Sequence, residues 1–223
     1  MNYLHASAVG SLAVQLITGL FEVQGVFVPV RPEDEIVKDI LRMELLVQLV
    51  ELLFYTYLVY MIVTGHVITD ITRHRYIDWS ITTPVMLVSF VVFFKYLHQQ
   101  GRTVRLLQSV QEELPHISQI VVGNALMLLF GFISEIGLIS TPVGVALGFI
   151  PFAYIFQILY SYYARFTTLG SILFYLSFVI WGLYGVGAVL PFVYKNTLYN
   201  ILDVFSKNAY GLFLYFFIRT KRV

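Results

Sequence analysis

Long apolar runs separated by short polar breaks set the pattern of this 223-residue chain. Runs of spanning length fall at about 5–28, 36–63, 72–97, 117–140, 142–164, 168–190 and 197–218. A helix needs about 20 apolar residues to cross the hydrocarbon of a bilayer. The pattern therefore predicts an all-α fold, a seven-transmembrane-helix bundle forming a single membrane domain over residues 1–223. The breaks are short, such as "PVRPEDE", "STPVG" and "VYKN", and no internal repeat marks a second unit. The first run lacks a basic start and is long enough to span, so it reads as a helix and not as a cleaved signal.

Composition agrees. The chain is 58% hydrophobic and only 12% charged, about half the charge of a soluble domain, with a mean hydropathy of +0.79. A net charge of +1 gives no footing for a nucleic-acid partner. Without cysteine there is neither a disulfide nor a thiolate metal site. Basic residues gather in the first-second, third-fourth and fifth-sixth connections and at the C-terminus, with only Arg73, Arg75 and Lys195 on the other side. That bias puts the N-terminus outside and the C-terminus in the cytoplasm.

Against this apolar background the last span, "YNILDVFSKNAYGLFLYFFI", holds Asp203 and Lys207 one helical turn apart, about 6 Å along the axis. Each charge at bilayer depth costs about 2.5–3.5 kcal/mol on insertion scales. The third span adds Arg75, Asp78, Trp79, Thr82 and Thr83 at a similar depth. Two readings of Lys207 stand: an interhelical salt bridge, since buried charges pair, or an amine that condenses with an aldehyde and uses the acids as counterions. Trp181 and Tyr184 in "WGLYG" share a face; at that spacing, aromatic packing is commoner than a cofactor box.

Three polar stripes run along neighbouring spans. Span one carries Ser7, Ser11, Gln15, Thr18 and Glu22; span two carries Glu44, Gln48, Glu51 and Tyr55; span seven carries Asn196, Asn200, Asp203 and Lys207. Spacings of three and four keep each set on one helix face. Intramembrane acids mark ion or proton routes by default. The plainer alternative has Glu44 snorkelling to the interface, the hydroxyls bonding their own helix and Asn196 lying in a loop.

"RYIDWSITTP" and "LDVFSK" together resemble the microbial rhodopsins, over all seven spans. The resemblance implies all-trans retinal bound covalently to Lys207 as a protonated Schiff base, with Asp78 and Asp203 as counterions and Arg75 tuning them. It implies that Trp79, Met127, Trp181 and Tyr184 box the polyene, and that Tyr57, in "YTYLVYM", supports the span-seven aspartate. With Tyr57 at retinal depth, Glu51 falls about 9 Å and Glu44 about 20 Å inward. Thr83 and Asn124 match a pair that ties spans three and four beside retinal.

Where the outward proton pumps of the family keep a carboxylate, eleven residues after Asp78, this chain has Ser89, whose hydroxyl cannot deliver a proton near neutral pH. The paired glutamates and the Asp78, Thr82, Ser89 triplet are most similar to the first group of viral rhodopsins, which implies a light-gated cation channel. Its ion pathway maps onto Glu44, Glu51, Asn200, Asp203 and Asn208, with Ser7, Ser11 and Gln15 on span one. A weak outward proton pump or a sensory rhodopsin is the alternative; an enzyme is not expected. The implied partners are retinal, lipid and permeating cations, and nothing excludes a homo-oligomer. His5, His66, His74, His98 and His116 show no metal-ligand spacing and read as solvated terminal and loop residues. Glu135 is expected at the outer end of span four, and Pro84 and Pro151 inside spans three and five.

Overall fold

The computed structural model describes residues 3–65, 70–99 and 101–223; His66 lies outside them. Seven helical segments are long and apolar enough to cross a membrane: α1 (Tyr3–Val26), α2 (Glu35–Val63), α3 (Ile71–His98), α5 (Leu114–Glu135), α6 (Thr141–Tyr162), α7 (Thr168–Ala188) and a seventh made of α8 (Phe192–Asp203), a π turn (Val204–Asn208) and α9 (Ala209–Thr220). A short helix, α4 (Leu106–Glu112), lies in the third connection. The chain is a multi-pass integral membrane protein of all-α fold. With seven crossings the two termini lie at opposite ends of the bundle, called here the amino and carboxyl faces.

Helix ends follow local chemistry. Pro32 precedes α2 in a 3-10 turn, and α5 and α6 each carry proline in their first turn, where the missing N–H costs nothing. The fourth span is shorter than its apolar run. Gly137 takes φ +82°, and the amides of Gly137 and Leu138 return to the carbonyls of Ser134 (3.0 Å) and Ile133 (2.9 Å). This glycine-closed C-cap ends α5 at Glu135 although apolar residues continue to 140. Pro84 and Pro151 sit inside α3 and α6, which continue through them.

The helices form a ring in the order α1, α2, α3, α5, α6, α7, closed by α8 and α9 against α1. In lipid, apolar burial does not drive helices together; close packing and interhelical hydrogen bonds do. α3 is the most enclosed span, with 67% of its most apolar stretch buried. Toward the carboxyl face it packs Leu87, Phe90, Phe93 and Phe94 against Ile40, Ile120, Ile155 and Leu214. The amino half is instead filled with polar side chains, described below.

Ionic clamps hold the ends. Lys95 Nζ reaches Glu112 Oε2 and Glu113 Oε1, each at 2.7 Å, while Tyr163 donates to Glu113 Oε2 at 2.7 Å. His116, expected as a solvated loop residue, lies in α5 with Nδ1 2.9 Å from the Tyr163 hydroxyl. The apolar run hid it because the helix begins three residues earlier than the run suggests. Glu135 closes α5 at the amino face and pairs with Lys195 at 2.8 Å.

Candidate chromophore site and polar pathway

Lys207 sits on the π turn, a one-residue widening that interrupts the last span beside its acids. Such turns gather at functional sites, and no residue pattern in "LDVFSK" announces this one. Lys207 Nζ lies 2.8 Å from Asp78 Oδ2, 3.4 Å from Glu51 Oε1 and 3.5 Å from Asp203 Oδ1. All four side chains are buried.

The two aspartates are held differently. Asp203 Oδ2 accepts from Tyr55 (2.8 Å) and from Arg75 Nη1 (3.0 Å), and Oδ1 accepts from Tyr184 (2.7 Å). Asp78 takes Lys207 on Oδ2, while its buried Oδ1 has no protein partner among the described residues. Asp203 thus has hydrogen-bond donors on both oxygens. Asp78 keeps one oxygen without a protein partner among the described residues.

Two sequence expectations change here. Tyr57 does not support Asp203: it is 44% exposed, with its ring 5.7 Å from that of His74. Tyr55 takes the role. Positions two apart on a helix differ by about 200°, so only one can face the bundle, and Tyr55 belongs to the same stripe as Glu44, Gln48 and Glu51. Setting depth by Tyr57 also misplaced Glu51, which stands at Lys207 itself and not some 9 Å further in. Tyr55→Phe, which removes a hydrogen bond to a charged group, is expected to cost about 1.5–3 kcal/mol and to lower the midpoint of thermal unfolding. Tyr57→Phe should leave that midpoint unchanged.

Lys207 lines a cavity together with Trp79, Thr83, Met127, Trp181 and Tyr184, all expected there, and with Met86, Phe149 and Phe152, which the sequence did not single out. Trp79 packs edge-on against Tyr184, ring centres 5.5 Å apart. Gly185 leaves room for Phe149: a Cβ there would sit 2.7 Å from its ring. Asn124 Nδ2 donates to Thr83 Oγ1 at 2.8 Å, joining α5 to α3 beside the cavity as expected. An apolar chamber with one amine and adjacent carboxylates suits an apolar aldehyde that becomes cationic when it joins the amine.

The polar stripes meet on both sides of Lys207. Toward the amino face Arg75 is fully buried. Its Nε donates to Asn196 Oδ1 at 3.1 Å and its Nη2 to Asn200 Oδ1, while the guanidinium carbon lies 5.1 Å from the Phe54 ring centre. Asn196 is therefore a buried ligand of Arg75 on α8, not a loop residue. Asn200 Nδ2 donates to Ser7 at 2.8 Å, and Ser11 donates to the Asn200 carbonyl at 2.9 Å. Toward the carboxyl face, Gln48 Nε2 donates to the Gln15 carbonyl (2.8 Å) and Thr18 (2.9 Å). Asn208 Nδ2 donates to Gln48 Oε1 (2.8 Å) and Thr18 (3.0 Å). Deeper still, Ser89 donates to Glu44, which is buried and does not snorkel.

Residues 7–221 match the family of bacteriorhodopsin-like proteins. The chain belongs to that family. As a rhodopsin it is implied to carry retinal, and the chamber at Lys207 fits that group. The family comprises light-driven transporters, channels and photoreceptors, not enzymes. The chain is similar to the crystal structure of the viral rhodopsin OLPVRII, with 28% identity, a TM-score of 0.86, and 97% of this chain and 98% of that one covered. The blue-light-absorbing proteorhodopsin from Med12 has 24% identity and a TM-score of 0.72, covering 98% of each chain. The light-driven proton pump LR (Mac) from Leptosphaeria maculans has 16% identity and a TM-score of 0.74, with 99% and 97% covered. These last two share the fold alone. No curated protein matches the chain.

Proposed function

We propose that this rhodopsin is a light-gated cation channel, oriented with its amino face outside the cell, as the basic residues at the carboxyl face favour. The single observation that carries the reading is the run of polar side chains from half-buried Ser7 through buried Ser11 and Asn200, past Glu51 and Lys207, to buried Gln15, Asn208 and Glu44. A bundle that only packs has no use for so many in lipid, where each is costly. Carboxylates along such a route select cations. The likeness to the first group of viral rhodopsins supports the same reading.

All-trans retinal, joined covalently to Lys207, would supply light absorption and a photochemical change in the direction and acidity of the proton on that nitrogen. The chain's own residues do the rest. Asp78 takes the proton from Lys207 Nζ on its oxygen at 2.8 Å. Asp203, its oxygens held by Tyr55, Tyr184 and Arg75, completes the acidic pair that faces Lys207. Once the central cation is gone, Glu51 loses the positive charge 3.4 Å away. The acids then attract water and cations into the space between Asn200 and Asn208.

Replacing small cations on both faces by a bulky organic cation at constant pH should remove the photocurrent; a current that persists is carried by protons. Glu51→Gln is expected to reduce conductance severalfold and, because Glu51 stands 3.4 Å from Lys207 Nζ, to shift the visible band without abolishing it; an unchanged current takes Glu51 out of the route. Asn124→Ala, which breaks the α5–α3 link, should alter the closing rate measured after a light pulse.

A second reading, an outward proton pump, is favoured by one contact. Ser89, which stands where pumps keep a carboxylate, is hydrogen-bonded to the carboxyl of Glu44, so α2 offers an acid at the place α3 lacks one.

A further inference from the structure

Along the α1 stripe, Ser7, Ser11 and Thr18 have interhelical side-chain partners and the Gln15 carbonyl has Gln48. The side chains of Gln15 and Glu22 have no hydrogen-bond partner among the described residues, and of the two only Glu22 is an acid. Glu22 is 1% exposed, and neither carboxyl oxygen meets a protein hydrogen-bond donor among the described residues. α1 and α2 run antiparallel, with Gly19 against Gln48 and Gly25 against Leu41, which sets Glu22 opposite Glu44. Glu44 is itself buried, and its Oε2 is also without a partner.

On the other side the carboxyl rests on α9. A Cβ built on Gly211 would overlap it, so the glycine forms a seat that the Glu22 head group fills. The remaining ionisable groups on the facing helices are engaged elsewhere. Lys38 on α2 pairs with Glu35 at 3.1 Å, Tyr210 on α9 approaches Ser89 at 3.5 Å, and Tyr215 accepts from Arg219 at 2.9 Å. Among the described residues no cation lies within ion-pair reach of Glu22. A buried carboxylate facing another acid and lacking a cation takes up a proton, because an unpaired charge is far costlier to bury than a neutral carboxyl group.

We infer that Glu22, seated on Gly211 opposite Glu44, is a protonated carboxyl seal on the carboxyl half of the pathway, and that it becomes a cation-binding carboxylate when light displaces α9. The inference rests on the channel reading for its purpose but not for its chemistry. Gly211 follows Lys207 by one turn on the same span, directly after the π turn. A shift of that helix lifts the seat from Glu22 and admits water from the carboxyl face. The O–H bond of Glu22 then breaks, the proton passes to that water, and a monovalent cation balances the charge left behind. Closure reverses each step. Acid at the carboxyl face should therefore favour the sealed state.

The test is light-minus-dark infrared difference spectroscopy on retinal-reconstituted protein in lipid nanodiscs. The wild-type chain should lose a protonated-carboxyl carbonyl band in the light, labelling with 13C-glutamate should shift that band, and Glu22→Gln should abolish it. Glu44→Gln should retain it. Gly211→Ala, which drives a methyl into the carboxyl, should displace or remove the same band while visible absorption persists, and it serves if Glu22→Gln does not fold. A glutamate band that survives Glu22→Gln, or that Gly211→Ala leaves untouched, overturns the inference. The spectrum needs no current, so the outcomes separate. Absent cation currents with a lost Glu22 band end the channel reading alone; normal currents with no Glu22 band end this inference alone.

Discussion

Lys207→Ala should yield a protein that stays colourless when retinal is added, with no visible band at any pH. The amine is the sole lysine nitrogen lining the chamber, and without it an aldehyde has nothing to join. The same substitution unbalances the site. Asp78, Asp203 and Glu51 surround Lys207 at 2.8, 3.5 and 3.4 Å, and with the lysine gone only Arg75 remains to offset them. Removing one partner of a buried ionic group costs about 3–5 kcal/mol, so the variant should also unfold at a lower temperature. Lys207→Ala combined with Asp78→Asn removes a cation and an acid together and should recover part of that loss while remaining colourless. A visible band in the single variant would place the chromophore elsewhere.

The second large effect belongs to Arg75. It is fully buried, salt-bridged to Asp203 at 3.0 Å and hydrogen-bonded to Asn196 and Asn200, with the rings of Phe54, Tyr55 and Tyr199 around it. Arg75→Ala takes the guanidinium from the Asp203 carboxylate and one donor from the side-chain carbonyl of each of two asparagines, and losing one partner of a buried ion pair costs about 3–5 kcal/mol. Arg75→Lys should rescue little, since an ammonium cannot reproduce the planar fork that spans all three acceptors. Arg73 gives the contrast. Its partner Asp70 lies 3.3 Å away and both side chains are about half exposed, so Arg73→Ala should cost about 0–1 kcal/mol. Thermal unfolding of the three variants in one lipid or detergent measures the ranking. Equal midpoints for Arg73→Ala and Arg75→Ala would mean that Arg75 is no structural plug.

Much of this arrangement was legible in the residues alone. Apolar length fixed seven spans, because a bilayer leaves no other use for such runs, and charges rare enough to be conspicuous marked Lys207, Asp78, Asp203 and Arg75. Helical periodicity identified the α2 stripe that includes Tyr55, yet family resemblance selected Tyr57, two positions away and on the lipid side. The stripe was the sounder guide, since it follows from the 3.6-residue turn itself. The end of α5 was missed for a different reason. Hydropathy cannot see a backbone torsion, and Gly137 turns the chain while the side chains remain apolar. The π turn under Lys207 and the seat at Gly211 were also invisible, as both depend on how α9 meets its neighbours. His116 read as a loop residue because its bonding partner, Tyr163, is 47 residues away.

The most direct test of the account is a voltage-clamp recording of the retinal-loaded protein under illumination, with a cation gradient set across the membrane at equal pH. The account predicts a photocurrent that changes sign with voltage, at a reversal potential that moves when the gradient is changed. A photocurrent that keeps one direction over the whole voltage range would contradict it and would mark the protein as a pump.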